Sequence, residues 1–342
     1  MIMGLCVLHI TNECNLKCKH CYASAGTKLT NELTYEEIVG IINQLEELSV
    51  NYVTISGGEP FKRPELFDII KYIVSKKMHI MITSNGTLLN DSNLEKVKKL
   101  GVDSIQVSLD SHLREVNDHF RGVPGAFDKA VRGIELCKKH GIKVSIMSTL
   151  SSINKNSIRD IIEFAVGLGV DGFAMERFVP EGRGEKARDL SISPLDLKNC
   201  LEILDEYQRK RADCIFTTND PLFLFVGDRH KYIHSLYKDN KELCGGCSVG
   251  KMGFIVSPEG NVALCTRFYV DIGSVRDKSI KEILEESELN KTVCNRNLLK
   301  GKCGICKYRN LCGGCRGWAF RETGDFLAED SLCWLSKEEI SE

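Results

Sequence analysis

The sequence predicts an α/β protein: an open, partial (β/α)6 barrel over residues 1–230, followed by a small, loop-rich, cysteine-dense domain over residues 231–342. Three observations predict it. Six short apolar runs alternate with segments of helical periodicity, which is the pattern of parallel βα units. Six units are too few to close an eight-stranded barrel, so the sheet stays open. Toward the C-terminus the alternation gives way to short strands, turns and cysteines, with nine of the 16 cysteines in the last hundred residues.

Residues 5–10 (Leu-Cys-Val-Leu-His-Ile) form the first buried strand, and the loop of Cys14, Cys18 and Cys21 leaves its C-terminal end. Thr34 and Glu37 have capping-box spacing, and Ile38, Ile41, Ile42, Leu45 and Leu48 follow at helical spacing. A strand over 52–55 precedes a helix over 64–76 with Pro64 in its first turn. The alternation continues through a strand at 79–83, a helix at 93–100 ended by Gly101 and a strand at 104–109. A helix at 126–140 ended by Gly141, a strand at 142–150, a helix at 156–168 ended by Gly169 and a strand at 172–178 complete the six units. One more helix covers 194–211, and residues 217–241 read as a linker. Beyond Cys244, segments 253–257 and 261–265 flank Pro258-Glu259-Gly260, a hairpin signal. The last ninety or so residues carry too little regular apolar pattern to hold themselves together, and metal centres would staple them.

The charges nearly cancel, with 46 Lys and Arg against 47 Asp and Glu. No basic field argues for nucleic acid, and no acidic tail for a solvating segment. No apolar run approaches the roughly 18 residues that span a bilayer, and no signal-peptide pattern opens the chain. A cytoplasmic protein with neither nucleic-acid nor membrane partners is expected. In that reducing compartment the cysteines point to metal or redox chemistry rather than a disulfide framework.

The sharpest signal is Cys14-x3-Cys18-x2-Cys21, with His20 and Tyr22 beside the last cysteine. Three close thiolates suggest a four-iron cluster that has one iron left open for a ligand. A zinc knuckle is the bland alternative. The spacing resembles the signature of the radical S-adenosylmethionine (radical SAM) enzymes, in which the open iron chelates the methionine part of SAM. That resemblance makes Cys14, Cys18 and Cys21 the catalytic cluster ligands and implies reductive cleavage of SAM to a 5′-deoxyadenosyl radical. It also implies an electron donor such as flavodoxin or ferredoxin. Gly57-Gly58-Glu59-Pro60 directly follows the second strand and has the form of the family's GGEP motif, which binds the SAM amino group. Ser84 and Asn85 end the third strand, and Ser108 and Asp110 end the fourth. They are candidate ribose ligands, with ordinary turn and cap roles as the alternative. Glu176, Arg177 and Arg183 follow the sixth strand as candidates for the mouth of the site.

The tail cysteines are Cys244, Cys247, Cys265, Cys303, Cys306, Cys312, Cys315 and Cys333. Eight thiolates suffice for two four-iron clusters; a zinc ribbon would want a longer gap between its pairs. The tail resembles the SPASM extension, which implies two auxiliary clusters and three [4Fe-4S] clusters in all. By that resemblance Cys244, Cys247, Cys265 and Cys315 hold the first auxiliary cluster, with Cys294 as a substitute for Cys244. Cys303, Cys306, Cys312 and Cys333 hold the second. Cys312 and Cys315 are separated by two residues where many members have three. Most SPASM proteins resemble peptide or protein maturases, and a peptide substrate is expected. The alternative is a small molecule, notably a tetrapyrrole: enzymes of the haem and haem d1 pathways share the Cys-Gly-Gly-Cys-Arg ending and a segment like Gly182-Arg183-Gly184. A non-enzymatic iron–sulfur electron carrier is the rival from another class, and six βα units argue against it.

Overall fold

The computed structural model describes residues 4–227, 229 and 246–341. The expected boundary between residues 230 and 231 falls outside them, and so does Cys244. Seven strands run parallel in chain order: β1 (Leu5–His9), β2 (Tyr52–Ser56), β3 (His79–Ser84), β4 (Ser104–Ser108), β5 (Lys143–Leu150), β6 (Gly172–Arg177) and β7 (Ile215–Thr217). Together they make the curled half-barrel. The connecting helices are α1 (Tyr35–Glu47), α2 (Leu66–Ser75), α3 (Asp91–Leu100), α4 (Arg114–Arg121), α5 (Ala126–Lys139), α6 (Ile158–Gly167) and α7 (Pro194–Lys210).

Local rules set most of these boundaries. The Thr34 hydroxyl accepts from Glu37 N and the Glu37 carboxylate accepts from Thr34 N, the reciprocal capping box. Gly101 ends α3 at φ +78°, with Lys98 and Lys99 in the last turn where cations suit the helix dipole. Three expectations are corrected. The second helix starts at Leu66, because Pro64 and Glu65 form a turn ahead of it. The segment read as a linker from 217 begins inside β7 and continues into a buried 3-10 turn, Pro221–Phe225. Helix α4 was not foreseen: its eight residues bury only Phe120 as an apolar side chain, too few to show a period.

The hairpin forms as expected, but its placement adds to the fold. Strand β8 (Gly253–Val256) pairs parallel with β1, β9 (Asn261–Cys265) pairs antiparallel with β8, and β10 (Phe268–Ser274) pairs with β9. One ten-stranded sheet therefore runs β10-β9-β8-β1-β2-β3-β4-β5-β6-β7. Phe254, Val256, Val262, Ile280, Trp318 and Leu332 belong to the same buried core as the barrel strands. The tail thus packs on the barrel rather than standing alone, which resolves its sparse apolar pattern.

Candidate functional site

The candidate groups of the barrel lie at the C-terminal ends of β1 to β4 and of β6. The cysteine loop is anchored at both sides. Cys14 N donates to Gly26 O at 2.8 Å. Lys17 N and Lys19 N donate to Arg121 O and Phe120 O at the end of α4. Gly122 makes that approach possible, since a Cβ there would overlap the Lys17 carbonyl. Arg183 holds the other side: its N, Nε and Nη1 donate to Cys21 O at 3.0 Å, Cys18 O at 2.7 Å and Ala25 O at 3.0 Å. Gly182 (φ +58°) lies so close to Tyr22 O that no side chain fits. The Gly-Arg-Gly segment is therefore a clamp on the cysteine loop, and sequence reasoning gave Arg183 no such task.

Gly57 and Gly58 make a close approach of the same kind. Gly58 N donates to Thr11 O at 2.7 Å and Glu59 N to Glu13 O at 2.8 Å. A Cβ on Gly58 would lie 2.7 Å from Asn12 O and closer still to Glu13 O. These glycines let the second strand's turn touch the cysteine-loop backbone. Glu59 is fully buried and accepts from Ser84 Oγ at 2.9 Å, Asn85 N at 2.8 Å and Phe61 N at 3.3 Å. Burial pushes its carboxyl up to about 7 against those three donors. Pro60 opens a short 3-10 turn behind it. Asn85 Nδ2 then reaches Asn15 Oδ1 at 2.9 Å and Cys14 Sγ at 3.9 Å, so the chain from Glu59 through Ser84 and Asn85 ends at the first cysteine.

The remaining barrel candidates have mixed fates. Asp110 is buried, pairs with Arg121 Nη2 at 2.6 Å and accepts from Thr149 N at 2.8 Å. Arg121 Nη1 in turn points at Cys18 Sγ, 3.9 Å away. Asp110 therefore fixes the cation beside Cys18, and Ser84 is engaged with Glu59 and Gly86 N. Ser108 is half-buried at the end of β4. His20 stacks on Phe120 with ring centroids 4.1 Å apart, and its Nε2 lies 3.9 Å from Asp110. Tyr22 shares a 3.1 Å hydrogen bond with His9 Nε2. Burial lowers the His9 imidazole to about 4, so it is neutral at pH 7.

In the tail, Cys303, Cys306, Cys312 and Cys333 line one cavity together with Gly313 and Gly314. Cys247 is close enough to raise the thiol pKa values of both Cys265 and Cys315 through its charge, so these three gather as a second group. Cys294 packs against the same small apolar cluster as Cys247 and Cys265. Glu176 pairs with Arg267 at 2.9 Å, and Arg177 is buried between Asp220 and Asp330. Asp330 joins the two cysteine groups: its N donates to Cys303 Sγ at 3.4 Å and its Oδ2 accepts from Cys315 N at 2.8 Å. None of these links could be read from spacing, since Arg177, Asp220 and Asp330 are far apart in the chain.

The sulfurs themselves separate into two kinds. Those of Cys14, Cys21, Cys265, Cys306 and Cys312 accept backbone N–H bonds at 3.4 Å, from Leu16, Ala25, Arg267, Tyr308 and Gly314 respectively. Cys315 Sγ accepts from Trp318 N at 3.5 Å. Cys200 and Cys294 instead donate to the carbonyls of Lys155 and Gly250, as protonated thiols do. Cys6 and Cys137 are fully buried core residues and Cys214 is nearly so. Burial pushes the thiols of Cys14 and Cys333 up to about 11 and that of Cys315 to about 12. Groups so raised become thiolates only against a bound cation, and N–H donors aimed at sulfur are what cluster ligands need. The residues present fit iron–sulfur clusters.

Among the described residues no helix is long and apolar enough to cross a membrane. The model of the Radical SAM superfamily matches residues 8–165, and that of SPASM, an iron–sulfur cluster-binding domain, matches residues 247–316. The AdoMet-dependent heme synthase of Methanosarcina barkeri is 33% identical over 331 residues, 95% of this chain and 94% of that protein. The mycofactocin maturase MftC of Mycolicibacterium smegmatis is 27% identical over 91% of this chain and 77% of its own length. The SAM-bound crystal structure of SuiB from Streptococcus suis superposes with a TM-score of 0.75 at 20% identity, covering 97% of this chain and 77% of that one.

Proposed function

Because the chain belongs to the radical SAM superfamily and carries a SPASM iron–sulfur domain, we propose that it abstracts a hydrogen atom from a side chain of a tetrapyrrole. It is an enzyme whose cofactors are iron–sulfur clusters and SAM. When bound, a cluster on the N-terminal loop would supply the electron for reductive cleavage of SAM. Every other task falls to the polypeptide. Cys14, Cys18 and Cys21 would hold that cluster. Arg183 and the end of α4 fix the loop, while Gly58 brings the Glu59 turn against it. Ser108, half-buried at the rim, is the candidate for the ribose. Cys303, Cys306, Cys312 and Cys333, which line one cavity, would hold one auxiliary cluster. Cys247, Cys265 and Cys315 would hold the other, with Cys244 as its fourth ligand, or Cys294 on loss of the proton it gives to Gly250 O. The division of labour in this reading is a barrel, residues 1–230, that generates the radical and a tail, residues 231–342, that holds the auxiliary clusters.

The observation that carries the chemistry is the accepting geometry at the cysteine sulfurs. For the substrate, the support is the heme synthase match, which is stronger and spans more of the relative than the maturase match. Maturation of a peptide is the second reading, favoured by the match to MftC. The test incubates the reduced, reconstituted protein with SAM and either iron coproporphyrin III or a candidate precursor peptide, under a flavodoxin or ferredoxin donor. A mass change in the porphyrin together with 5′-deoxyadenosine is the expected result. 5′-Deoxyadenosine without porphyrin modification removes the tetrapyrrole reading, and a modified peptide replaces it.

A further inference from the structure

Arg296 opens a 3-10 turn, Arg296–Leu298, two residues after Cys294. It is 5% exposed. Nη2 donates to Cys247 O at 2.6 Å, while Nε and Nη1 are buried without a hydrogen-bond partner among the described residues. The guanidinium lies directly against Gly313. A Cβ there would overlap Nη1 and Cζ, so Gly313 (φ +70°) is what gives the cation its room. Gly313 sits between Cys312 and Cys315, and Cys247 N donates to Cys312 O at 3.0 Å. Arg296 therefore stands at the seam between the two tail cysteine groups.

The other buried arginines nearby are provided for. Arg177 has Asp220 and Asp330, and Arg267 has Glu176. Arg316 gives its N–H groups to the carbonyls of Gly314, Phe326 and Ala328 and to Cys303 Sγ at 3.6 Å. Arg296 has one carbonyl and no carboxylate partner among the described residues. An unpaired buried guanidinium is costly unless a negative charge stands beside it. A four-iron cluster with four thiolates is an anion, and it is more negative by one unit when reduced.

We propose that Arg296, at the seam between the two cysteine groups, is a cationic counter-group of the auxiliary clusters beside Arg316 and Arg267, and that its charge favours their reduced state. The inference rests on the ligand assignment given above. Cluster potentials respond to local charge and to hydrogen bonding, so removing the cation makes reduction harder. Arg296→Met keeps much of the stem and removes the charge; Arg296→Lys keeps the charge and changes the shape. Both variants and the parent are reconstituted, iron is counted, and auxiliary-cluster potentials are read by EPR-monitored titration.

The expected result is a fall in at least one auxiliary potential in Arg296→Met. The reduction equilibrium should shift at least tenfold, about 59 mV for a one-electron couple. Arg296→Lys should stay near the parent, and the N-terminal cluster should not move in either variant. Loss of auxiliary iron in Arg296→Met but not in Arg296→Lys also supports the proposal. Full iron with unmoved potentials in Arg296→Met overturns it, and so does equal loss of iron in both variants. A parent with only one cluster per chain would instead overturn the ligand assignment itself.

Discussion

Arg183→Ala removes two hydrogen bonds from the guanidinium to Cys18 O at 2.7 Å and Ala25 O at 3.0 Å, and leaves the backbone bond to Cys21 O. Hydrogen bonds from a charged donor contribute about 1.5–3 kcal/mol each, and the half-buried Arg183 belongs at the low end, about 3 kcal/mol for the pair. At 1.4 kcal/mol per decade that is about a hundredfold weaker hold on the loop in its ligating shape. The assay is iron loss to a chelator under anaerobic conditions, followed by the EPR signal of the SAM-bound reduced cluster. The N-terminal cluster should be lost about a hundredfold faster than in the parent, with the tail clusters retained. Arg183→Lys, able to reach one carbonyl, should fall between. An unchanged rate in Arg183→Ala would refute the clamp.

Gly58→Ala should push the Glu59 turn off the cysteine loop, because the methyl meets backbone at Asn12 and Glu13 rather than a movable side chain; SAM affinity by calorimetry should drop at least tenfold. Asp330→Ala leaves Arg177 with Asp220 alone and Cys315 N without its acceptor. The loss should be about 3–5 kcal/mol of unfolding free energy, as for a broken buried pair, and a urea midpoint close to the parent's would contradict it. Glu59 gives a pH dependence. Its carboxyl is raised from 4.5 to about 7 on folding, so the folded state binds more protons between those values and stability falls as pH rises through them. The drop is about 3 kcal/mol at 1.36 kcal/mol per pH unit. Urea unfolding of the cluster-free protein at pH 5 and pH 8 should show it, and Glu59→Gln should flatten it.

The barrel was legible because each strand and helix announces itself locally, through apolar runs, a Thr34–Glu37 cap and glycine stops. Strand β7 escaped because three residues carry no period, and α4 because its one buried apolar side chain, Phe120, gives none either. The pairing of β8 with β1 depends on contacts between residues nearly 250 positions apart, which no local pattern encodes. The same limit applies at the site. The resemblance to the SPASM extension set Cys303, Cys306, Cys312 and Cys333 apart as one ligand set, and these four line one tail cavity. The groups that hold them came only from the fold: Arg183 from beyond β6, Arg121 with Asp110, and Asp330 between two cysteine sets. Charged residues on loops have no periodicity to betray them, and their partners are chosen by topology.

The central claim is that Cys14, Cys18 and Cys21 hold the SAM-cleaving cluster while the tail holds two others. Replacing all three by Ala and counting iron after anaerobic reconstitution tests it most directly. On four irons per cluster the parent should carry about twelve irons and the variant about eight, with 5′-deoxyadenosine formation abolished. An unchanged iron count with continued SAM cleavage would contradict the account, as would zinc in place of iron in the parent.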